Sequence, residues 1–189
     1  TVSIRTASIG YAIPGTVIAV GVIIPFAWLD VRIDAFMKSS FGISSGLILS
    51  GTIVAVMFAY VVRFLAISLQ TVESGLDKIK PSMDDAARSL GYRPRETLFK
   101  IHIPLMKSST LTALMIVFVD VMKELPATLI LRPFDFNTLA VRAFELASDE
   151  RLADSSTAAL TIVIVGLLPV IYLSKTISQS RFDQGNAEI

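Results

Sequence analysis

The sequence predicts an all-α membrane protein, a polytopic transmembrane helix bundle with one polar helix–glycine–helix loop set into it. Three observations predict this. The 189 residues are 53% hydrophobic and 17% charged, with a mean hydropathy of +0.67, where a soluble domain carries roughly 25% charged residues. The apolar residues gather in blocks of about 20, the length of helix that crosses a bilayer. Between two of these blocks lies Ser82 to Pro104, too polar to belong to either. Residues 1–189 read as a single transmembrane domain. The chain begins at Thr1 with no signal-peptide pattern, and reads as a segment of a longer protein. A net charge of +1 implies no nucleic-acid partner, and the absence of cysteine excludes disulfides and thiolate metal sites.

The first span is expected from about Ile9 to Leu29. Pro14 and Pro25 fall inside it, and membrane helices tolerate proline where neighbours satisfy the freed backbone groups. Trp28 stands at its end, where an indole suits the membrane interface. Asp30 to Phe41 reads as a short polar connection.

The second span is expected over about Ile43 to Val62, ended by Arg63. Gly42, Gly46 and Ser50, with Gly51 beside them, are spaced like a small-residue packing strip. Gly42-Ile43-Ser44-Ser45-Gly46 also matches the Gly-x-Ser-x-Gly pattern of a nucleophile elbow. That elbow needs a strand–turn–helix and a nearby histidine. The single histidine, His102, lies in the central loop, a membrane thickness away on this topology.

The central stretch opens with a short helix. Ser82 is placed to cap it, with Asp85 at the third helical position as in a capping box. Met83, Ala86, Ala87 and Leu90 fall on one helical face. Gly91 follows where a left-handed cap belongs, and Arg93-Pro94 restarts the chain. Leu98, Phe99, Ile101 and Ile103 make the second piece apolar, and Pro104 is expected to close it. Two adjacent alanines leave room for another protein to approach; the same flat face also suits a loop folded back on its own bundle.

Asp85-Ala86-Ala87, Gly91 four residues after Ala87, and Ile101-His102-Ile103-Pro104 resemble the EAA loop of ABC importer permeases. The family pattern is Glu-Ala-Ala, three residues, Gly, nine residues, Ile-x-Leu-Pro. The spacing matches throughout, with Asp85 in place of Glu and Ile103 in place of Leu. The resemblance implies a type I importer permease in the inner membrane. It implies three partners: a cytoplasmic ATPase dimer, an extracytoplasmic solute-binding protein and a second permease half, all within membrane lipid. By the same resemblance, Asp85, Ala86, Ala87, Leu90 and Gly91 couple to the ATPase, while Ile101 and Pro104 anchor the loop to the bundle. ATP is then hydrolysed by the partner, and this chain carries no cofactor.

From Arg63 to Lys107 the chain carries Arg63, Lys78, Lys80, Arg88, Arg93, Arg95, Lys100 and Lys107, more cations than the outer connections hold. The positive-inside rule puts the loop, 71–107, in the cytoplasm. His102 reads as a surface or packing residue, since a lone histidine makes a poor metal site.

The third span is expected over about Leu111 to Leu131. Asp120, Lys123 and Glu124 interrupt it, and Asp120 faces both of the others at helical spacing. Charges inside a span face the bundle interior or a water-filled path. The three are therefore candidates for a translocation path; they equally suit a structural ion pair or a site near the outer interface. Asp120 and Glu124 are oxygen ligands suited to a hard cation, and whether any metal binds is left open. Pro126 should break the helix here. Asn137 is placed to cap a short external helix with Leu139, Ala143, Leu146 and Ala147 on one face and Arg142 and Glu145 on another. By the resemblance, Asp149, Glu150, Arg151 and Asp154 are candidate contacts for the binding protein. The last span is about Thr157 to Ser174, with Gly166 and Pro169 inside and Lys175 and Arg181 in a polar tail.

The sequence holds no Walker A loop, no His-Glu-x-x-His helix and no dinucleotide fingerprint. Residues 123–133, with Phe134 to Ala140 after them, resemble the ferric-iron branch of these permeases; thiamine and other branches are close. Rival readings are a secondary transporter or channel using the charged cluster, a membrane hydrolase using Ser44, and a purely structural subunit.

Overall fold

A computed structural model describes residues 13–185, and the expected start of the first span at Ile9 lies outside them. The described chain is helical, without a strand among these residues. In order come α1 (Gly15–Phe41), α2 (Ile53–Leu76), α3 (Pro81–Ser89), α4 (Pro94–Thr97), a π-turn (Leu98–His102), α5 (Ile103–Met122), α6 (Pro126–Leu131), α7 (Leu139–Ser148) and α8 (Leu152–Gly185). Among the described residues, four helical stretches are long and apolar enough to cross a membrane: α1, α2, the continuous run Pro94–Met122, and Leu152–Tyr172 within α8.

The stretch Asp30 to Phe41 is no connection: it continues α1, whose 27 residues extend about 40 Å. Its acids are there to hold the loop that follows. Asp30, 1% exposed, accepts from the backbone N–H groups of Ile48, Leu49 and Ser50 at 3.1, 2.9 and 2.7 Å and from the Ser50 hydroxyl at 2.6 Å. One turn later, Asp34 accepts from the Ser44 hydroxyl and the Ser45 N–H at 2.7 and 2.9 Å and pairs with Lys38. Spacing i, i+4 puts both carboxylates on one face.

This loop displaces the second span by about ten residues from where hydropathy alone put it. Gly42, Gly46 and Gly51 have φ of 68, 64 and 69°, which turns the chain and rules out helix through them. The expected packing strip of Gly42, Gly46 and Ser50 is therefore not formed, and the Ser44 hydroxyl is committed to Asp34. Thr52 caps α2, its side chain accepting from the Val54 N–H at 3.3 Å. Arg63, expected to end the span, lies in mid-helix.

Small side chains set the core. Ile18, Ala19 and Val22 of α1, Ala55, Val56 and Ala59 of α2, and Ala127 and Leu131 of α6 form one buried cluster. Alanine at these contacts lets the helices approach closely. The α2–α5 crossing is tighter still: a Cβ on Gly75 would lie 2.6 Å from the Ser109 Cβ.

Pro104 does not end a helix, contrary to expectation. The Ile103 N–H reaches back to the Leu98 carbonyl, an i to i−5 bond. The wider turn takes up the missing N–H and the ring of Pro104, so the helix runs on from Pro94 to Met122. It does stop before Pro126, as the proline predicts, and α6 is a separate helix. Thr138, rather than Asn137, caps α7 and accepts from the Val141 N–H at 3.3 Å. The buried side chains of α7 are Ala140, Val141 and Leu146, so the expected face is rotated and shares only Leu146. The Ser155 hydroxyl donates to the Ala143 carbonyl at 2.8 Å and closes the α7–α8 hairpin. α8 passes beyond Ser174 without a break.

Candidate functional site

The polar module between α2 and α5 is assembled from local rules. α3 starts at Pro81 with Lys80 before it, so Ser82 lies inside the first turn and is not the cap. Proline at the first helical position brings its own φ and an N–H that helix geometry leaves unpaired anyway. At the other end Gly91 has φ of 80°. The Tyr92 N–H bonds the Ala87 carbonyl at 3.0 Å and the Gly91 N–H bonds the Arg88 carbonyl at 2.9 Å, the paired bonds of a Schellman cap. Pro94 then opens α4, and the Glu96 carboxylate accepts from the Arg93 N–H at 2.9 Å.

The helical face drawn from Met83, Ala86, Ala87 and Leu90 is split by the fold. Ala87 is 1% exposed and faces the interior of the chain, whereas Leu90 is 74% exposed. Ala86 and Asp85 are exposed beside Leu90, and Asp85 lies 3.6 Å from Arg88. Ile101 is half-buried and Pro104 exposed. His102 is neither a bare surface residue nor simple packing: its Nε2 is 2.7 Å from Asp84 Oδ1. Asp84, Arg88, Tyr92, Pro94, Thr97 and His102 enclose a pocket of about 150 Å³.

The charged cluster of the third span is divided. Asp120 pairs with Lys123 at 2.9 Å, as the spacing predicts. Glu124 does not join them, because α5 ends at Met122 and the chain turns at Lys123. Instead Glu124 Oε1 accepts from Arg63 Nη1 at 3.2 Å and from the Ala127 N–H at 3.1 Å. A few ångströms away, the Tyr60 and Thr128 hydroxyls share a 2.5 Å bond. Gly15 closes the site from α1: a Cβ there would lie 2.1 Å from Arg63 Nη1 and 2.8 Å from Glu124 Oε1. Glu124 is thus an anchor joining α2, α6 and α1, with its charge already matched. Among the described residues no three His, Cys, Asp or Glu side chains converge as a metal-binding set.

Residues 2–184 match the family of binding-protein-dependent transport system inner membrane components. The chain belongs to this family. The permease is 29% identical over 124 residues to an Fe(3+)-transport system permease protein of Haemophilus influenzae, covering 66% of this chain and 24% of the relative. It is 34% identical over 119 residues to a putative 2-aminoethylphosphonate transport system permease protein of Salmonella typhimurium, covering 63% and 44%. A ferric transport system permease protein of Actinobacillus pleuropneumoniae is 24% identical over 178 residues, covering 94% and 24%. The chain therefore spans less than half the length of these relatives. Family and helices together make it a multi-pass inner-membrane protein.

Sequence reasoning missed Arg63 as a partner of Glu124 and Asp30 as a loop anchor in this permease. A signal for Asp30 was present: two acids one turn apart, followed by a glycine-bearing loop with free N–H groups. Nothing local marks Arg63, since its partner is 61 positions away.

Proposed function

We propose that this permease segment moves solute across the inner membrane under the drive of a separate cytoplasmic ATPase. The observation that carries this is the exposed edge of α3 bearing Asp85, Ala86 and Leu90, held by the Gly91 cap at the foot of the span α5. ATP-driven closure of the ATPase dimer pulls α3, and the spans rock between inward- and outward-facing states. Asp85, Ala86 and Leu90 meet the ATPase, while Ala87 packs the module from inside, Gly91 makes its turn, and Ile101 and Pro104 join it to α5. Loop 71–107 is then cytoplasmic, ATP is bound and hydrolysed by the partner, and this chain holds no cofactor. A solute-binding protein meets the outer side near Asp149, Glu150, Arg151 and Asp154, and a second permease half completes the path through the lipid.

Ferric iron is the proposed solute, supported by the 123–140 stretch and by the two iron-permease relatives. The aminoethylphosphonate relative, at 34% identity, supports an organophosphonate as the second reading. Asp120 and its partner Lys123 are the remaining path candidates, because Glu124 is held by Arg63 and the Ala127 N–H. The test is co-purification with the co-expressed ATPase, followed by uptake of ferric iron and of aminoethylphosphonate. Leu90→Glu and Ala86→Glu should abolish both ATPase binding and uptake while the protein still inserts. Unchanged binding in both variants refutes the docking assignment, and uptake of the phosphonate alone refutes iron.

A further inference from the structure

α3 packs broadly against no other element. It is tethered by the turn at Asp77–Lys80 and by the cap at Gly91, around which there is open space. A docking helix attached only through two turns would swing when pulled and lose the force. The side chain that crosses from α3 to the foot of the span is Asp84, and it meets His102, 18 residues along the chain. Both groups are partly shielded, at 22% and 37% side-chain exposure for His102 and Asp84. A hydrogen bond that involves a charged carboxylate and is partly screened from water is of the stronger kind.

The π-turn sets this contact. Its extra residue changes which way side chains point along the Pro94–Met122 helix, and His102 is its last position, two residues before Pro104. The wide turn accommodates Pro104, and His102 at its end meets Asp84. Arg88, Tyr92, Pro94 and Thr97 form the rest of the pocket wall, and Lys100 lies over Tyr92 with its Nζ 4.8 Å from the ring centroid.

We propose that His102 and Asp84 form a clasp that makes α3 and the foot of α5 move as one body, with His102 as the positioning residue of coupling. The proposal rests on the docking reading above. Breaking the clasp leaves the docking edge of α3 intact, so the ATPase still binds and still hydrolyses ATP. What is lost is the displacement passed to α5, and hence solute moved per ATP.

The test uses the full transporter with its ATPase and binding protein in proteoliposomes, measuring ferric iron taken up per ATP hydrolysed. His102→Leu and Asp84→Ala should each lower that ratio about tenfold, the worth of one hydrogen bond to a charged group. The double variant should be no worse than either single one. His102→Gln, which keeps an N–H donor within reach of Asp84, should restore most of the ratio. Wild-type ratios in both single variants, multiplying losses in the double, or a His102→Gln as poor as His102→Leu each overturn the clasp. Should the single variants fail to assemble, cysteines introduced into this cysteine-free stretch allow a second measurement. Asp84→Cys/His102→Cys should show the lowered ratio, and bridging the two thiols with a short bifunctional thiol-reactive reagent should restore most of it; no gain, or a further loss, on bridging overturns the clasp. Leu90→Glu and Ala86→Glu separate the two ideas: if both leave ATPase binding intact, the docking reading fails on its own, whatever the clasp variants show.

Discussion

Arg63 and Glu124 meet at 3.2 Å across 61 residues of sequence, a guanidinium from the middle of α2 and a carboxylate from the break between α5 and α6. Their side chains are 21% and 5% exposed. Removing one member leaves the other charge stranded. Glu124→Ala or Arg63→Ala should each cost about 3 kcal/mol, read as a lower apparent Tm in detergent. Arg63→Met/Glu124→Leu should recover most of that loss. A double variant as unstable as the sum of its parts would show that the two residues stabilise the fold independently.

Gly75 and Ser109 define the crossing of α2 and α5. Gly75→Ala places a Cβ 2.6 Å from the Ser109 Cβ, inside contact distance. The helices must separate, at a cost of about 1–3 kcal/mol. Exchanging the bulk, Gly75→Ala/Ser109→Gly, should return thermal stability close to wild type, and failure to do so places the strain elsewhere.

Asp30 and Asp34 differ in burial and should differ in consequence. Asp30→Ala strips four donors of their acceptor, three of them backbone N–H groups. Unsatisfied buried donors cost about 1–3 kcal/mol each at most, partly relieved by entering water. Residues 43–50 should become sensitive to limited proteolysis in Asp30→Ala, and much less so in Asp34→Ala. Equal protection in both variants would sink the anchoring role.

Gly91 has φ of 80° with nothing within 4 Å of a built Cβ. Gly91→Ala therefore pays only the backbone penalty, about 1 kcal/mol, and Gly91→Asn less. Gly91→Trp carries the same backbone penalty and starts from the same open space at its Cβ. If it lowers ATPase co-purification far more than Gly91→Ala does, a partner occupies the space beside the cap; equal effects of the two count against docking there.

Much of the helical framework was legible in sequence, for reasons that act locally. Gly91 at a left-handed cap, Pro94 at a helix start and Pro126 at a helix break each follow from backbone sterics within a few residues. The Asp120–Lys123 pair follows from helical spacing. The extent of α1 and the start of α2 were misplaced because hydropathy scores Asp30 and Asp34 as loop-forming charges. In the fold they are acceptors that organise the loop from within a helix. Arg63 was misplaced for the same reason, its charge read as a span end when it had a partner deep in the bundle.

Apolar blocks, a gapped alanine–glycine–proline motif and the turn residues around it determined by themselves that this is an α-helical membrane protein of the importer permease family, because hydropathy and backbone conformation are properties of short stretches. Only the tertiary structure decided that Glu124 answers to Arg63, that Ala87 faces inward while Leu90 faces out, and that His102 reaches Asp84. Those outcomes depend on how helices cross and on one widened turn before Pro104. Such long-range geometry sets which charges meet, and pairs tens of residues apart leave no periodicity in the sequence.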